Sequence, residues 1–226
     1  MVTEEMVDVI HSINSLQPII IKRTSSAIKK RIKEAGPLDN YEIVWKQLQD
    51  IAAKEIKEIL GSNFLDSKIT LARSKSAYPD IKLELAGNIY AIDIKSNESQ
   101  KEPWFDMARL DTVIKKRIEP YAEEWELVIK YDSEKNEFEK AYFNLFREIV
   151  GFNPKCKGVK FRPYDGKLRP KSWGDFDTGK TYWSTKQEFL EGIRNSQVYR
   201  WKALVKQVLL PLLSRTEKTE FKKLFE

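Results

Sequence analysis

Asp80, Asp93 and Lys95 are the side chains in this sequence best spaced for chemistry on a phosphate. They lie in Tyr78-Pro79-Asp80 and in Ala91-Ile92-Asp93-Ile94-Lys95. Two carboxylates held close together repel each other unless a cation sits between them. Oxygen-only ligands, with water completing the shell, suit Mg²⁺. A lysine two residues along an extended strand points the same way as the second aspartate and can hold and polarise a water beside the metal. Such groups together would stabilise extra negative charge developing on a phosphate. The alternative is an ordinary hairpin whose solvent face carries Asp–Lys pairs. Asp-x-Lys alone is a short pattern. Pro-Asp, an alternating apolar strand, a tight turn and a second apolar strand ending in Asp-Ile-Lys is more demanding, and it favours a site.

Positioning these residues requires 78–95 to fold as two short strands. Gly87-Asn88 suits a two-residue hairpin turn because both residues tolerate positive φ. A turn there pairs Ala86 with Ile89, Leu85 with Tyr90, Leu83 with Ile92 and Ile81 with Ile94, so that one face is wholly apolar. The polar face then sets Glu84 opposite Ala91, Lys82 opposite Asp93 and Asp80 opposite Lys95, with Asp80 and Asp93 as diagonal neighbours. Slipping the register by one residue would mix the two faces.

This hairpin resembles that of the Pro-Asp…(Asp/Glu)-x-Lys nuclease superfamily. Within it, the wording Tyr-Pro-Asp…Ala-Ile-Asp-Ile-Lys is most similar to the EcoRV-type type II restriction endonucleases. The resemblance implies a restriction-endonuclease-like α/β fold, with a mixed central β-sheet flanked by α-helices. It implies Mg²⁺-dependent, sequence-specific double-strand cutting of DNA by phosphodiester hydrolysis, with Asp80 and Asp93 holding the metal and Lys95 beside the attacking water. A homodimer is implied too, because a palindromic site matches a two-fold protein in which each subunit cuts one strand. The family carries a glutamate on the helix before the hairpin. Glu42 is the nearest candidate, with Lys46 or Gln47 one turn on, although a glutamate in a first helical turn is also what the helix dipole favours. The family's loop before the hairpin enters the minor groove, which makes Lys75 and Ser76 candidate DNA contacts. Simple turn chemistry is their other reading.

Length and composition set bounds on these ideas. At 226 residues the chain can bury one good-sized core, and a single endonuclease domain over 1–226 is expected. Apolar runs are far shorter than a membrane span, and the acidic start Met1-Val2-Thr3-Glu4-Glu5 lacks an apolar signal core, so a cytoplasmic protein is expected. A net charge of +6 is compatible with a polyanionic partner without demanding one. One cysteine and one histidine exclude a Cys/His zinc site within one chain and weaken any Ser-His-Asp or Cys-His scheme. His11 falls on an expected helix near the N-terminus, and Cys156 in a basic loop.

Along the chain, Met6, Ile10 and Ile13 predict a helix over Glu4 to Leu16. A basic segment, Lys22 to Lys33, carries Ile28 and Ile32 on one face and Lys29-Lys30-Arg31 on another, a solvated face or a DNA contact. Asn40 is a plausible N-cap for a helix that ends before Gly61, with Val44, Leu48, Ile51, Ile56 and Ile59 near the helical period. Phe64 to Arg73 leads into the sheet. Pro103 suits the start of a helix with Met107, Leu110, Ile114 and Ile118 on one stripe. Trp125 to Tyr131 is the best central strand, and Phe138, Tyr142, Leu145 and Ile149 predict a further helix ended by Gly151. Ser184 to Gln187 fits a capping box, followed by helical stripes that run to Pro211. Helices alternating with a few strands predict an α/β sandwich with a mixed sheet.

The segment 153–183 is basic, aromatic and rich in Pro and Gly, a composition suited to tracking phosphates and presenting polar groups to base edges. A twisted hairpin with a solvated basic face would have it too. Lys157-Gly158-Val159-Lys160, Gly174-Asp175, Gly179 and Glu188-Phe189-Leu190 occur in the same order as similar pieces of the EcoRV-type enzymes. By that alignment Thr178, Gly179, Lys180 and Thr181 would occupy the major-groove recognition loop, although they differ from that family's Asn/Thr-rich loop. Gly174-Asp175-Phe176-Asp177-Thr178-Gly179-Lys180-Thr181 also satisfies the Walker A pattern, which needs an apolar strand before it and a helix starting at its Lys-Thr. Leu168 to Trp173 is a poor buried strand, two acids inside the loop would repel phosphates, and the helix start fits better at Ser184, so the match reads as accidental. Three functions therefore stand open: a site-specific endonuclease, a structure-selective repair or recombination nuclease using the same hairpin, and a P-loop ATPase or non-catalytic DNA-binding protein.

Overall fold

The structure, a computed structural model, describes residues 4–35, 41–72, 77–99, 102–132, 134–135, 137–213 and 217. Three helices come first: α1 (Glu4–Ser15), α2 (Gln17–Ala35) and α3 (Tyr41–Asn63). Each buries one stripe at helical spacing, with Val9 and Ile13 on α1, Ile20, Thr24 and Ile28 on α2, and Leu48, Ala52, Ile56 and Ile59 on α3. Gly61 lies inside α3 rather than beyond its end. Strands β1 (Lys68–Leu71), β2 (Ile81–Leu85), β3 (Asn88–Glu98), β4 (Glu123–Asp132) and β5 (Glu137–Leu145) follow and form one sheet in that order. Only β3 and β4 are parallel; the other neighbours are antiparallel. The expected mixed sheet is present.

Alternation along the strands divides the sheet into two faces. Ile81 and Leu83, Tyr90, Ile92 and Ile94, Trp125, Leu127, Ile129 and Tyr131, and Ala141, Phe143 and Leu145 pack with the three helices in one core. Two side-chain bonds pin that helical layer to distant strands. The Trp125 indole N–H donates to Asn14 Oδ1 at 2.8 Å, and Gln17 Nε2 donates to the Phe143 carbonyl at 2.7 Å. The other face is covered mainly by loops and short elements. These are a π-helical turn (Ile114–Ile118), α4 (Phe146–Ile149), the two-stranded β6 (Phe152–Asn153) and β7 (Gly158–Val159), and α5 (Trp173–Asp177). Helix α6 (Lys186–Leu204) buries Phe189 and Ile193 there and is followed by a π-turn (Val205–Leu209) and α7 (Leu210–Leu212). The flanking helices of the expected sandwich are thus concentrated on one face. Among the described residues no helix is long and apolar enough to cross a membrane.

Two predicted helices are helical only at their C-terminal ends, in the π-turn Ile114–Ile118 and in α4. Glu137–Leu145 is a strand whose Ala141, Phe143 and Leu145 enter the helical core while Tyr142 packs on the other side. A strand covered on both faces has apolar residues at nearly every position, so a helical subset can be picked from it by chance. Residues 102–109 lack helical structure, and the backbone at 108–110 pairs with 166–168 through Leu110 N–H to Gly166 O (2.7 Å) and Leu168 N–H to Ala108 O (2.8 Å). That long-range pairing overrides the local stripe. Smaller shifts occur at α6, whose N-cap is Thr185, closed by Glu188.

The hairpin register also differs from expectation. Leu85 pairs with Asn88, Leu83 with Tyr90 and Ile81 with Ile92, so the two-residue turn is Ala86-Gly87. Both turn residues have positive φ, 51° and 71°, as a type I′ turn requires. A displacement of two residues leaves the faces unmixed, which is why the apolar pattern could not detect it. Its effect is to carry Asp80 from diagonal to Asp93 to alongside it. Ala86 is an alanine in the left-handed region, a strained conformation that asparagine tolerates. Ala86→Asn should therefore raise stability by about 0.5–1 kcal/mol in urea unfolding. Had the turn been at Gly87-Asn88, Ala86 would be a strand residue and asparagine there would lower stability.

Candidate active site

Strand β3 places Ala91, Asp93, Lys95 and Asn97 on the face away from the helices, because its Tyr90, Ile92 and Ile94 belong to the helical core. The short segment entering β2 brings Asp80 beside them. Asp80 Oδ2 accepts the Ile94 N–H at 2.6 Å, which sets its carboxyl next to β3, and Asp80 and Asp93 line the same cleft. Lys95 Nζ lies 2.7 Å from Asp93 Oδ2. From α3, Gln49 Nε2 donates to the Ile94 carbonyl at 3.0 Å and fixes the strand between the two key residues. The group opens into a cleft edged by Tyr78, Met107, Arg109, Thr112, Lys116 and Arg117.

Behind the cleft lies a buried cluster of charge. Parallel pairing sets Glu126 of β4 beside Asp93. Arg117, from the π-helical turn, is only 5% exposed, and its guanidinium carbon lies over the rings of Tyr78 and Phe146, 4.1 Å from each centroid. Its Nη2 is 2.6 Å from Glu124 Oε1, 3.1 Å from Glu126 Oε1 and 3.7 Å from Asp93 Oδ2, and its Nε donates to Glu124 at 2.7 Å. The Tyr78 hydroxyl donates to the same Glu124 oxygen. The Glu126 oxygens have no hydrogen-bond partner among the described residues, so the 3.1 Å approach of Arg117 is a charge pairing without an aligned N–H.

These surroundings push the groups apart in acidity. Burial, and then the negative charge of Asp93, raise Asp80 to about 7. Burial acts upward on Asp93 as well, but Lys95 and Arg117 outweigh it and hold that carboxyl below its ordinary value. For Lys95, burial favours the neutral amine, yet Asp93 and Glu126 overcome it and keep the ammonium. Glu126 is raised to about 7 by burial despite Arg117, and Glu124 is raised well above its ordinary range by burial and then by Glu126. Without a metal, then, Asp80 and Asp93 share one negative charge. A divalent cation fits this pair: it would replace the shared proton, and Mg²⁺ is commonly held by one or two carboxylates with water and phosphate oxygens completing its shell. No cluster of three or more His, Cys, Asp or Glu side chains suited to a metal occurs among the described residues.

The structure thus brings Asp80, Asp93 and Lys95 together. Glu42 falls in α3, but its side chain lies outside the described residues, as do Lys75, Ser76 and Asn40. Lys46 is exposed, and Gln47 accepts from Arg31 at 3.1 Å. The α3 residue at the cleft is Gln49, which the sequence reading passed over. Thr178, Gly179, Lys180 and Thr181 are exposed, and none of them lines the cleft. Their segment contradicts the Walker A match. Trp173–Asp177 is a short helix capped by Ser172, and Lys180 and Thr181 follow its end instead of opening a helix. Arg117, Glu124 and Glu126 were also missed. One signal was available, since Glu126 interrupts a strand whose alternate residues are all apolar.

No protein-family model matches the chain, and no curated protein matches it. Among solved structures the chain is similar to NlaIV restriction endonuclease, with 15% identity over 72% of this chain and 67% of that one and a TM-score of 0.46.

Two outcomes follow from the charge arrangement. Asp80 has a folded pKa near 7 against an ordinary 3.8, so its contribution to stability is full below about pH 4 and is lost as pH rises through about 7. In metal-free buffer Asp80→Asn should become more stable than the native chain across that window in urea unfolding. Mg²⁺ should raise the melting temperature of the native chain above pH 7 but not that of the variant. Arg117→Met should lower stability by about 3–5 kcal/mol, because it strands buried carboxylates, as the same unfolding curves would read.

Proposed function

We propose that this chain is a Mg²⁺-dependent DNA endonuclease that hydrolyses phosphodiester bonds at the cleft on β3. The observation that carries the reading is the gathering of Asp80, bonded to the Ile94 N–H, with Asp93 and Lys95, whose Nζ is 2.7 Å from Asp93, in one cleft edged by Arg109 and Lys116. Asp80 and Asp93 would hold the metal. When bound, the ion supplies positive charge to the scissile phosphate and increases the acidity of a coordinated water. The cationic rim attracts the DNA backbone and aligns a phosphate over the acids. Lys95 stays an ammonium in this environment, which suits electrostatic work and not proton abstraction. It orients the attacking water and offsets the negative charge that gathers on the phosphate as water adds in line with the leaving oxygen. Gln49 keeps Ile94 in place, and with it the spacing of Asp93 and Lys95.

In its finer form the proposal is a type II restriction endonuclease of the EcoRV kind, folded as a single endonuclease domain over 1–226. It would act in the cytoplasm as a two-fold homodimer on double-stranded DNA. The hairpin wording supports this form, as does the exposure of Thr178 to Thr181 at a loop able to meet base edges. Lys75 and Ser76 are the proposed minor-groove contacts, and Glu42 the third acid.

Plasmid cleavage in Mg²⁺ and DNA affinity, measured side by side, test the reading. Asp93→Ala and Lys95→Ala should each slow cutting by at least about 100-fold. Binding should remain, still weakening with added salt. Discrete, reproducible fragments are the expected product. An Asp93→Ala protein that cuts at a comparable rate would remove this hairpin as the active site.

A further inference from the structure

Beside the cleft lies an exposed stack of planar groups that the proposed hydrolysis does not use. Trp104 is 59% exposed, whereas tryptophan is usually well buried. Its ring lies 3.9 Å from the guanidinium carbon of Arg169, which is itself only 2% exposed. Arg169 Nη1 donates to the Phe105 carbonyl at 3.2 Å and lies 3.0 Å from Asp106 Oδ1. Its Nε and Nη2 have no hydrogen-bond partner among the described residues, and the indole ring lies over the guanidinium. Arg162 comes next, 5.9 Å from the Trp104 centroid and 4.5 Å from that of Tyr164, which is 76% exposed.

This stack is tied to the catalytic strand. The Trp104 backbone N–H donates to Asn97 Oδ1 at 3.0 Å, and Asn97 is buried on β3 two residues beyond Lys95, on the same face. Two strand residues span about 7 Å, the rise of roughly two base-pair steps. Met107, Ala108 and Arg109, just downstream of Trp104, form part of the cleft wall. A flat, electron-rich ring that backs on the buried Arg169 and has Arg162 within 5.9 Å has the chemistry of a base-stacking platform. Proteins use such rings for bases that have lost a stacking neighbour.

We propose that Trp104 stacks on an unstacked DNA base within a few steps of the phosphate held at Asp80, Asp93 and Lys95. The inference rests on the nuclease reading and adds a preference to it. A duplex interrupted by a gap, or one that kinks easily, should bind more tightly than an intact one, because the base is already free.

The test uses labelled duplexes of one sequence, intact or with a single-nucleotide gap flanked by 2-aminopurine, in metal-free buffer so that nothing is cut. Native chain, Trp104→Leu and Trp104→Phe are compared, with circular dichroism to confirm folding; leucine keeps an apolar cover over Arg169. The native chain should prefer the gapped duplex and quench 2-aminopurine on binding. Trp104→Leu should bind the gapped duplex about 5- to 100-fold more weakly, the range of aromatic–base stacking, and lose the quench, and Trp104→Phe should recover part of both. A leucine variant that keeps the native preference and quench overturns the platform alone. If the native chain binds neither duplex, the nuclease reading and the platform fall together.

Discussion

Four ionisable side chains buried against one face of a β-sheet must be neutralised by one another, and much of the site follows from that requirement. Water is excluded from Asp93, Glu124, Glu126 and Arg117, each no more than 5% exposed, and an unpaired charge there would be untenable. Arg117 meets the need by lying between three carboxylates while two aromatic rings pack against its guanidinium. Lys95 completes the balance from the solvent side. Because Asp93 is committed to these cations, it stays ionised, and the repulsion falls on Asp80 at the cleft. The fold thereby concentrates its electrostatic tension at Asp80, the more exposed carboxylate of the pair that lines the cleft.

Much of the fold could be read from the sequence where one face of an element is apolar and the other polar. Helices α1 to α3 and the β2–β3 hairpin have that asymmetry, and so they were found. Legibility failed where both faces are covered. In β5 Tyr142 packs outward against Trp173 and Phe176 while Phe143 packs inward, and the resulting apolar density is equally compatible with a helix. At 102–110 the deciding partner is the backbone of 166–168, which no local window contains.

The site divides along a similar line. Asp80, Asp93 and Lys95 were legible because strand alternation alone brings Asp93 and Lys95 to one face, and a tight turn returns Asp80 to them. Their detailed relation was not, since choosing between Ala86-Gly87 and Gly87-Asn88 moves Asp80 by two residues without disturbing any face. Arg117 was invisible because a cation in a run such as Lys115-Lys116-Arg117 reads as solvated surface. It is buried only because Tyr78 and Phe146, remote in sequence, close around it. Gln49 was passed over for want of charge, although its amide bridges α3 to β3.

The bonds from Asn14 to Trp125 and from Gln17 to Phe143 span 111 and 126 positions, and they bear on how the chain assembles as it is made. The three helices precede the sheet with apolar stripes that it has yet to cover, and β4 and β5 arrive several seconds later at ordinary rates of synthesis. Both acids of the hairpin also precede Arg117, and the 146–193 layer is later still. A nascent chain thus carries the acids before the cation and the covering layer that set their ionisation. The charge balance of the cleft is therefore set only after residues 117–193 have followed the hairpin out of the ribosome.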